Sequence, residues 1–202
     1  MASRSRSGGS TSIPEEALTW NGMDFSVSGL TIQQSMVFAK RRTPSPKPIA
    51  ILWAGNVVRT SDVMEVPLRG LVSLRMLSPP TEPLQAADLK LEPQGLLLAD
   101  GSRVGLLRTW NDEKYEPAVR YTYATAAPQL RVWNSYQMRY REQVVEEHWT
   151  ENAGMIVERI GALHRRYRCS PGWASPPDFN SFIFEVFVES SPGVATETPN
   201  AT

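Results

Sequence analysis

Residue types equipped for catalysis or metal binding are scarce in this chain: its 202 residues include two histidines, His148 and His164, and one cysteine, Cys169. Glu146, Glu147, His148 and Glu151 bring imidazole and carboxylates together, and at helical spacing His148 and Glu151 would share a face. No second ligand pair accompanies them, and His164 lacks metal-binding spacing from His148. Arginines lie close to Cys169 and would depress its thiol pKa only if it were exposed; a buried thiol is the expected state. No glycine-rich dinucleotide fingerprint, phosphate-binding P-loop or nucleophile elbow occurs. The expectation is a protein that is not an enzyme, with no catalytic residue, no metal and no cofactor.

Positive charge offers a different chemistry. Lys40, Arg41, Arg42 and Lys47 sit in a Pro/Ser-rich stretch read as a loop, either as phosphate contacts or as charges that keep a strand end solvated. His164-Arg165-Arg166-Tyr167-Arg168 is the densest basic run and includes a ring able to stack on a base. Its structural alternative is the cationic end of a helix, or an edge strand defended by charge. Glu142, Glu146, Glu147, Glu151 and Glu158 lie nearby and would repel a polyanion unless the fold separates the two signs. With Arg4 and Arg6 from the N-terminal arm, the candidate nucleic-acid-binding set is Arg4, Arg6, Lys40, Arg41, Arg42, Lys47, Arg165, Arg166 and Arg168. Six tryptophans are present; they suit a sugar-stacking platform or, like Trp53, the core.

Lys+Arg and Asp+Glu both number 21, so no global field draws the chain to nucleic acid or to an acidic membrane. No apolar run approaches the ~20 residues that span a bilayer, and the N-terminus lacks the apolar stretch of a secretory signal. A lone cysteine forms no internal disulfide. These features point to a soluble intracellular protein without membrane insertion. Residues 1–12 (MASRSRSGGSTS) and 190–202 lack large apolar side chains and are expected to be disordered arms. Residues 13–189 should form a single β-rich domain.

Period-two patterning dominates that domain. Ala17–Trp20 and Phe25–Leu30 flank Asn21-Gly22, and Leu96–Leu98 and Val104–Leu107 flank Asp100-Gly101; both dipeptides accept the positive φ of tight hairpins. Ile49–Trp53 reads as a strand covered on both faces. Leu71–Leu77, Val119–Thr125, Leu130–Tyr140 and Phe182–Val188 alternate apolar and polar positions, and the last is rich in aromatic and β-branched residues. Ile51, Trp53, Leu74, Val132, Met138, Phe184 and Val186 are the expected core. Glu82–Leu91 is a short helix candidate with Pro83 at an initial position. Residues 142–166 fit either a helix capped by Thr150 or Asn152, although Gly154 and Gly161 weaken its interior, or two strands turning near Asn152. Prolines cluster between the elements. The fold class is mainly β: an antiparallel β-sandwich or jelly roll with one or two short helices.

The arm MASRSRSGGSTS, the strand IAILWAG, the hairpin LLLADGSRVGLL, the long strand QLRVWNSYQMRY and the closing DFNSFIFEVFVES follow one another in an order that resembles the small single-jelly-roll coat proteins of positive-strand plant RNA viruses, of ourmiavirus, bromovirus and tombusvirus type. The resemblance implies a capsid protein that assembles with itself and packages single-stranded RNA through non-specific phosphate contacts, located in the virion or the host cytoplasm. The chain departs from it in charge, because such arms are usually richer in Arg and Lys. Viral movement proteins resemble the same jelly roll and carry a Leu-x-Asp strand end, matched by Leu98-Ala99-Asp100; this implies a single-strand RNA-binding protein acting outside the particle. A cellular β-sandwich module that binds carbohydrate or protein is the third reading.

Overall fold

The computed structural model describes residues 23–42, 50–91, 95–97, 101–114 and 117–190. The expected Ala17–Trp20 strand, the Asn21-Gly22 turn, Leu98-Ala99-Asp100, the arm 1–12 with Arg4 and Arg6, Lys47, and residues 191–202 of the second arm lie outside them. The first described elements differ from the expectation. Phe25–Val27 is a 3-10 turn, not a strand, with Asp24 accepting from the Ser26 amide. Helix α1 follows at Ile32–Arg42, so Lys40, Arg41 and Arg42 form its last turn instead of a loop. A capping box starts this helix: Thr31 Oγ1 accepts from the Gln34 amide at 3.2 Å and Gln34 Oε1 accepts from the Thr31 amide at 3.0 Å. Its three terminal cations complement the negative end of the helix dipole.

Strands account for the rest: β1 (Ile51–Trp53), β2 (Asn56–Arg59), β3 (Asp62–Glu65), β4 (Arg69–Met76), β5 (Gln85–Leu91), β6 (Leu96–Leu97), β7 (Arg103–Val104), β8 (Leu106–Trp110), β9 (Ala118–Ala124), β10 (Gln129–Tyr140), β11 (Gln143–Glu147), β12 (Gly154–Gly161), β13 (His164–Ser170) and β14 (Phe182–Ser190). Among the described residues a nine-stranded sheet runs β1-β2-β12-β13-β14-β4-β9-β6-β7, and a smaller sheet runs β11-β10-β5-β8 with β3 also on β10. The two sheets close as an antiparallel β-sandwich over one core. Val72, Leu74, Met155, Tyr167, Phe182, Phe184 and Val186 from the large sheet meet Met64, Ala87, Leu89, Leu91, Leu130 and Val132 from the small one.

The expected strands at residues 71–77, 119–125, 130–140 and 182–188 are present as β4, β9, β10 and β14, and β14 continues through Ser190. β6 and β7 pair with Leu96 opposite Val104; of the expected Asp100-Gly101 turn, Asp100 lies outside the described residues, and Gly101 has φ +82, the conformation that favours glycine there. The helix expected at Glu82–Leu91 is instead strand β5. Its Ala, Gln, Leu and Lys content suits a helix, but β5 is hydrogen-bonded on both edges, to β10 and β8, and buries both faces. Local preferences of tenths of a kcal/mol per residue lose to that pairing. Residues 142–166 resolve into strands turning near Asn152, so His148 and Glu151 never share a helical face. Six of the seven expected core residues are buried; Met138 is half-buried, close to the β10–β11 turn.

A second, smaller core places α1. Phe25, Ile32, Ala39, Ile51, Trp53 and Val58 cluster with Ile156. Because Met155 faces the main core and Val58 lies opposite Ile156, this cluster occupies the outer face of the large sheet. Gly154 permits the approach: a Cβ there would come within 2.7 Å of Val58 and 3.4 Å of Ile32. Asn152 secures the helix start, accepting from the Ile32 amide at 3.3 Å and donating to the Ala174 carbonyl at 2.8 Å. No helix among the described residues is long and apolar enough to cross a membrane.

Candidate binding groove on the large sheet

α1 covers one end of the large sheet's outer face, and the other end, over β13, β14, β4 and β9, carries an open groove of about 390 Å³. Strand register builds it. His164 lies opposite Phe187, Phe187 opposite Ser73, and Ser73 opposite Arg120. One rung away, Arg166 lies opposite Glu185, Glu185 opposite Arg75, and Arg75 opposite Ala118. Alternation along each strand sends all of these outward, since Tyr167, Val186 and Leu74 between them point into the core. Phe187 remains 41% exposed with the His164 ring edge-on at 5.5 Å. The Ser73 hydroxyl is buried and has no hydrogen-bond partner among the described residues.

Glu185 anchors the groove. Its Oε1 accepts from Arg166 Nε at 3.0 Å and Nη2 at 2.8 Å, and its Oε2 accepts from Arg75 Nη2 at 2.7 Å, with His164 Nε2 at 3.4 Å. Burial raises the carboxyl pKa, but the hydrogen bonds from Arg166, Arg75 and His164 outweigh it and hold the group below the usual 4.5. A carboxylate with a depressed folded pKa contributes stability above its unfolded pKa and loses it as pH falls through the folded value. Glu185→Gln should therefore be less stable than the parent at pH 7, and the gap should shrink on acidification below about pH 4.5. Urea unfolding at pH 7 and pH 3 checks this; a gap of equal size at both would show that the carboxylate charge is not the cause.

The expected basic residues are placed unequally. β13 is an interior strand of the large sheet, between β12 and β14, so His164–Arg168 is neither a helix end nor an edge strand. Arg166 also approaches Glu158 at 3.6 Å, and Arg168 approaches Glu158 at 3.8 Å while donating to Asn180 at 2.5 Å. Arg165 points the other way, into the sandwich, and pairs with Asp62. Lys40, Arg41 and Arg42 are exposed at the end of α1, on the same side of the large sheet as the groove. Arg75, Arg120, Ser73 and Phe187 were missed by sequence reasoning, because none stands in a local cluster. Their signal is the outward parity of β4, β9 and β14, usable only once strand neighbours are known.

Three of the acid–base candidates, Glu146, His148 and Glu151, have separate partners. Glu146 pairs with Arg108 at 2.5 Å, and the same guanidinium forks onto buried Asp88 at 2.7 and 3.0 Å. His148 packs edge-on against Trp149 at 4.7 Å, and Trp149 lies 5.7 Å from Trp133. Glu151 meets Gln33 of α1, its carbonyl accepting at 2.8 Å. Cys169 is buried, which pushes its thiol pKa well up and leaves it unreactive. The described residues contain no group of three or more His, Cys, Asp or Glu placed to hold a metal. Comparison with protein-family models, with curated proteins and with solved structures found no match to this chain.

Proposed function

We propose that the protein is a non-catalytic structural protein that holds single-stranded RNA on the outer face of its large sheet and assembles with copies of itself, as a small viral coat protein does. The observation that carries this reading is the groove, where register brings a stacking ring, Phe187, beside Arg75, Arg120 and a Ser73 hydroxyl that has no hydrogen-bond partner among the described residues. A base on an aromatic side chain with its phosphate on neighbouring cations is the general mode of single-strand recognition. The exposed end of α1 adds Lys40, Arg41 and Arg42 to the same face. Arg75, Arg166 and Arg168 already meet carboxylates, Glu185 and Glu158, so they attract phosphate less than Arg120 does.

Each phosphate contact on a single strand adds about −0.7 to the slope of log K against log salt. Replacing Lys40, Arg41 and Arg120 together by glutamine should flatten that slope by about 2 and weaken unrelated RNA sequences alike. Fluorescence anisotropy with a labelled oligonucleotide across a salt series measures it. Salt-insensitive binding, or no binding, would rule the reading out. Light scattering after size exclusion separates large closed assemblies from the small RNA-dependent oligomers of a movement-type protein. The carbohydrate- or protein-binding alternative rests on Trp149, 36% exposed on its Trp133 support; a glycan that quenches its fluorescence would favour that reading.

A further inference from the structure

The small sheet ends in an open edge. Among the described residues β11 pairs only with β10, in unbroken register from Tyr140 opposite Gln143 to Tyr136 opposite Glu147. The two-residue turn Arg141-Glu142 joins these strands, so Gln143, Val145 and Glu147 aim their amides and carbonyls at β10, and Val144 and Glu146 aim theirs outward. Proteins blunt such edges with lysine, proline, a bulge or a very short strand. β1 and β7, the ends of the large sheet, are three and two residues long. β11 has five residues, none of them Lys or Pro, and no register shift. Its Val144 side chain is 56% exposed.

The hairpin is also self-complementary in charge. Its tip carries Arg139 and Arg141 with one acid, Glu142, and β11 ends in Glu146 and Glu147. A second copy running antiparallel sets the tip of one hairpin beside the base of the other. Centred on Val145, that pairing puts Val144 opposite the partner's Glu146 and Gln143 opposite the partner's Glu147, so no like charges face each other. A centre on Val144 would bring Glu146 against the partner's Glu142, and one on Glu146 would set that carboxylate against itself. We propose that β11 joins two copies of this chain, antiparallel and edge to edge about a two-fold axis through Val145, so that the small sheet runs on from one copy into the other. Val144 and the partner's Glu146 then exchange both backbone hydrogen bonds, and the two Val145 residues form the closer, non-hydrogen-bonded kind of pair. This contact supplies the surface for the self-assembly proposed above and rests on that part of the reading; the groove lies on the other sheet and is independent of it.

Oxidative cross-linking of the full chain tests the register. The two Val145 Cα atoms would stand about 4.5 Å apart, within reach of a disulfide. The two Val144 Cα atoms, diagonal to each other, would stand about 7–8 Å apart, beyond it. Under mild oxidation Val145→Cys is expected to give a disulfide-linked dimer at least about ten-fold faster than Val144→Cys; Cys169 is buried and does not compete. Val145→Lys sets two ammonium groups against each other and should raise the dimer dissociation constant about five-fold or more in sedimentation velocity. An equimolar mixture of Val145→Lys and Val145→Glu should restore association, which a misfolded variant would not do. Leu106→Lys, on β8 at the other edge of the same sheet, should leave association unchanged. Val145→Cys linking no faster than Val144→Cys, or Val145→Lys associating as the parent does, would overturn the contact. A parent that stays monomeric at every concentration would overturn both the contact and the self-assembly proposed above. Absence of RNA binding with the Val145 link intact would count only against the function proposed for the large sheet.

Discussion

Phe184→Ala is expected to lower the free energy of unfolding by about 3–5 kcal/mol, the range for removing a large aromatic side chain from a close-packed core. Phe184 is fully buried, stacked on Tyr167 at 4.9 Å and tilted against Phe182 at 5.2 Å. All three rings project from β13 and β14 into the middle of the sandwich, so no loop can collapse into the space left behind. Urea denaturation followed by fluorescence should show the midpoint fall by at least about 1 M, given slopes of ~1–3 kcal/mol per molar for small proteins. A shift below ~0.3 M would mean that the ring does not support the core. Phe187, three residues on and facing the groove, is the internal control; Phe187→Ala should leave stability nearly unchanged.

Asp62→Ala should be comparably damaging, for an electrostatic reason. Asp62 of the small sheet is buried at 3% exposure and takes the guanidinium of Arg165 and, at 3.1 Å, the Tyr167 hydroxyl from the large sheet. Burial pushes the Tyr167 phenol well above its ordinary pKa, and the Asp62 charge adds to this, so the phenol stays a neutral donor. Removing the carboxylate alone leaves Arg165 charged inside the sandwich, a loss of about 3–5 kcal/mol. Replacing both partners, Asp62→Leu with Arg165→Met, should recover most of it, because well-packed apolar residues often match or exceed a buried ion pair. A double variant as unstable as Asp62→Ala would refute that account and point to an irreplaceable geometry at the β3–β13 contact. Such a pair joins the sheets without helping an outside anion, which is why Arg165 drops out of the set proposed to face RNA.

The groove was only partly legible in the sequence. Arg166 and Arg168 stood out because they are neighbours along the chain, yet their charges are largely answered by Glu185 and Glu158. Arg75 and Arg120 are 45 residues apart in number and were passed over, although β4 and β9 make them diagonal neighbours on one face, about 7–8 Å apart. Helix α1 announced itself through Thr31-x-x-Gln34 and the spacing of Ile32, Ser35, Met36 and Ala39, a signal overshadowed by the expectation of a hairpin at Asn21-Gly22. β5 misled in the opposite sense: its Ala, Leu and Lys content favours a helix by local propensity alone.

Alternation and composition by themselves determined that β4, β9, β10 and β14 are strands and which side of each is apolar, because the side-chain period of two is a property of the extended backbone. They also determined the scarcity of catalytic chemistry, since residue types are countable without a fold. Only the tertiary structure decided which strands are neighbours, and therefore which outward side chains share a rung. Hydrogen-bond partners in a sheet lie far apart along the chain, so Ser73 meets Phe187, and Lys90 meets Arg131, through pairings that no local pattern encodes. The same non-local pairing made β5 a strand and turned Arg165 inward to Asp62 while its neighbour Arg166 faces the groove.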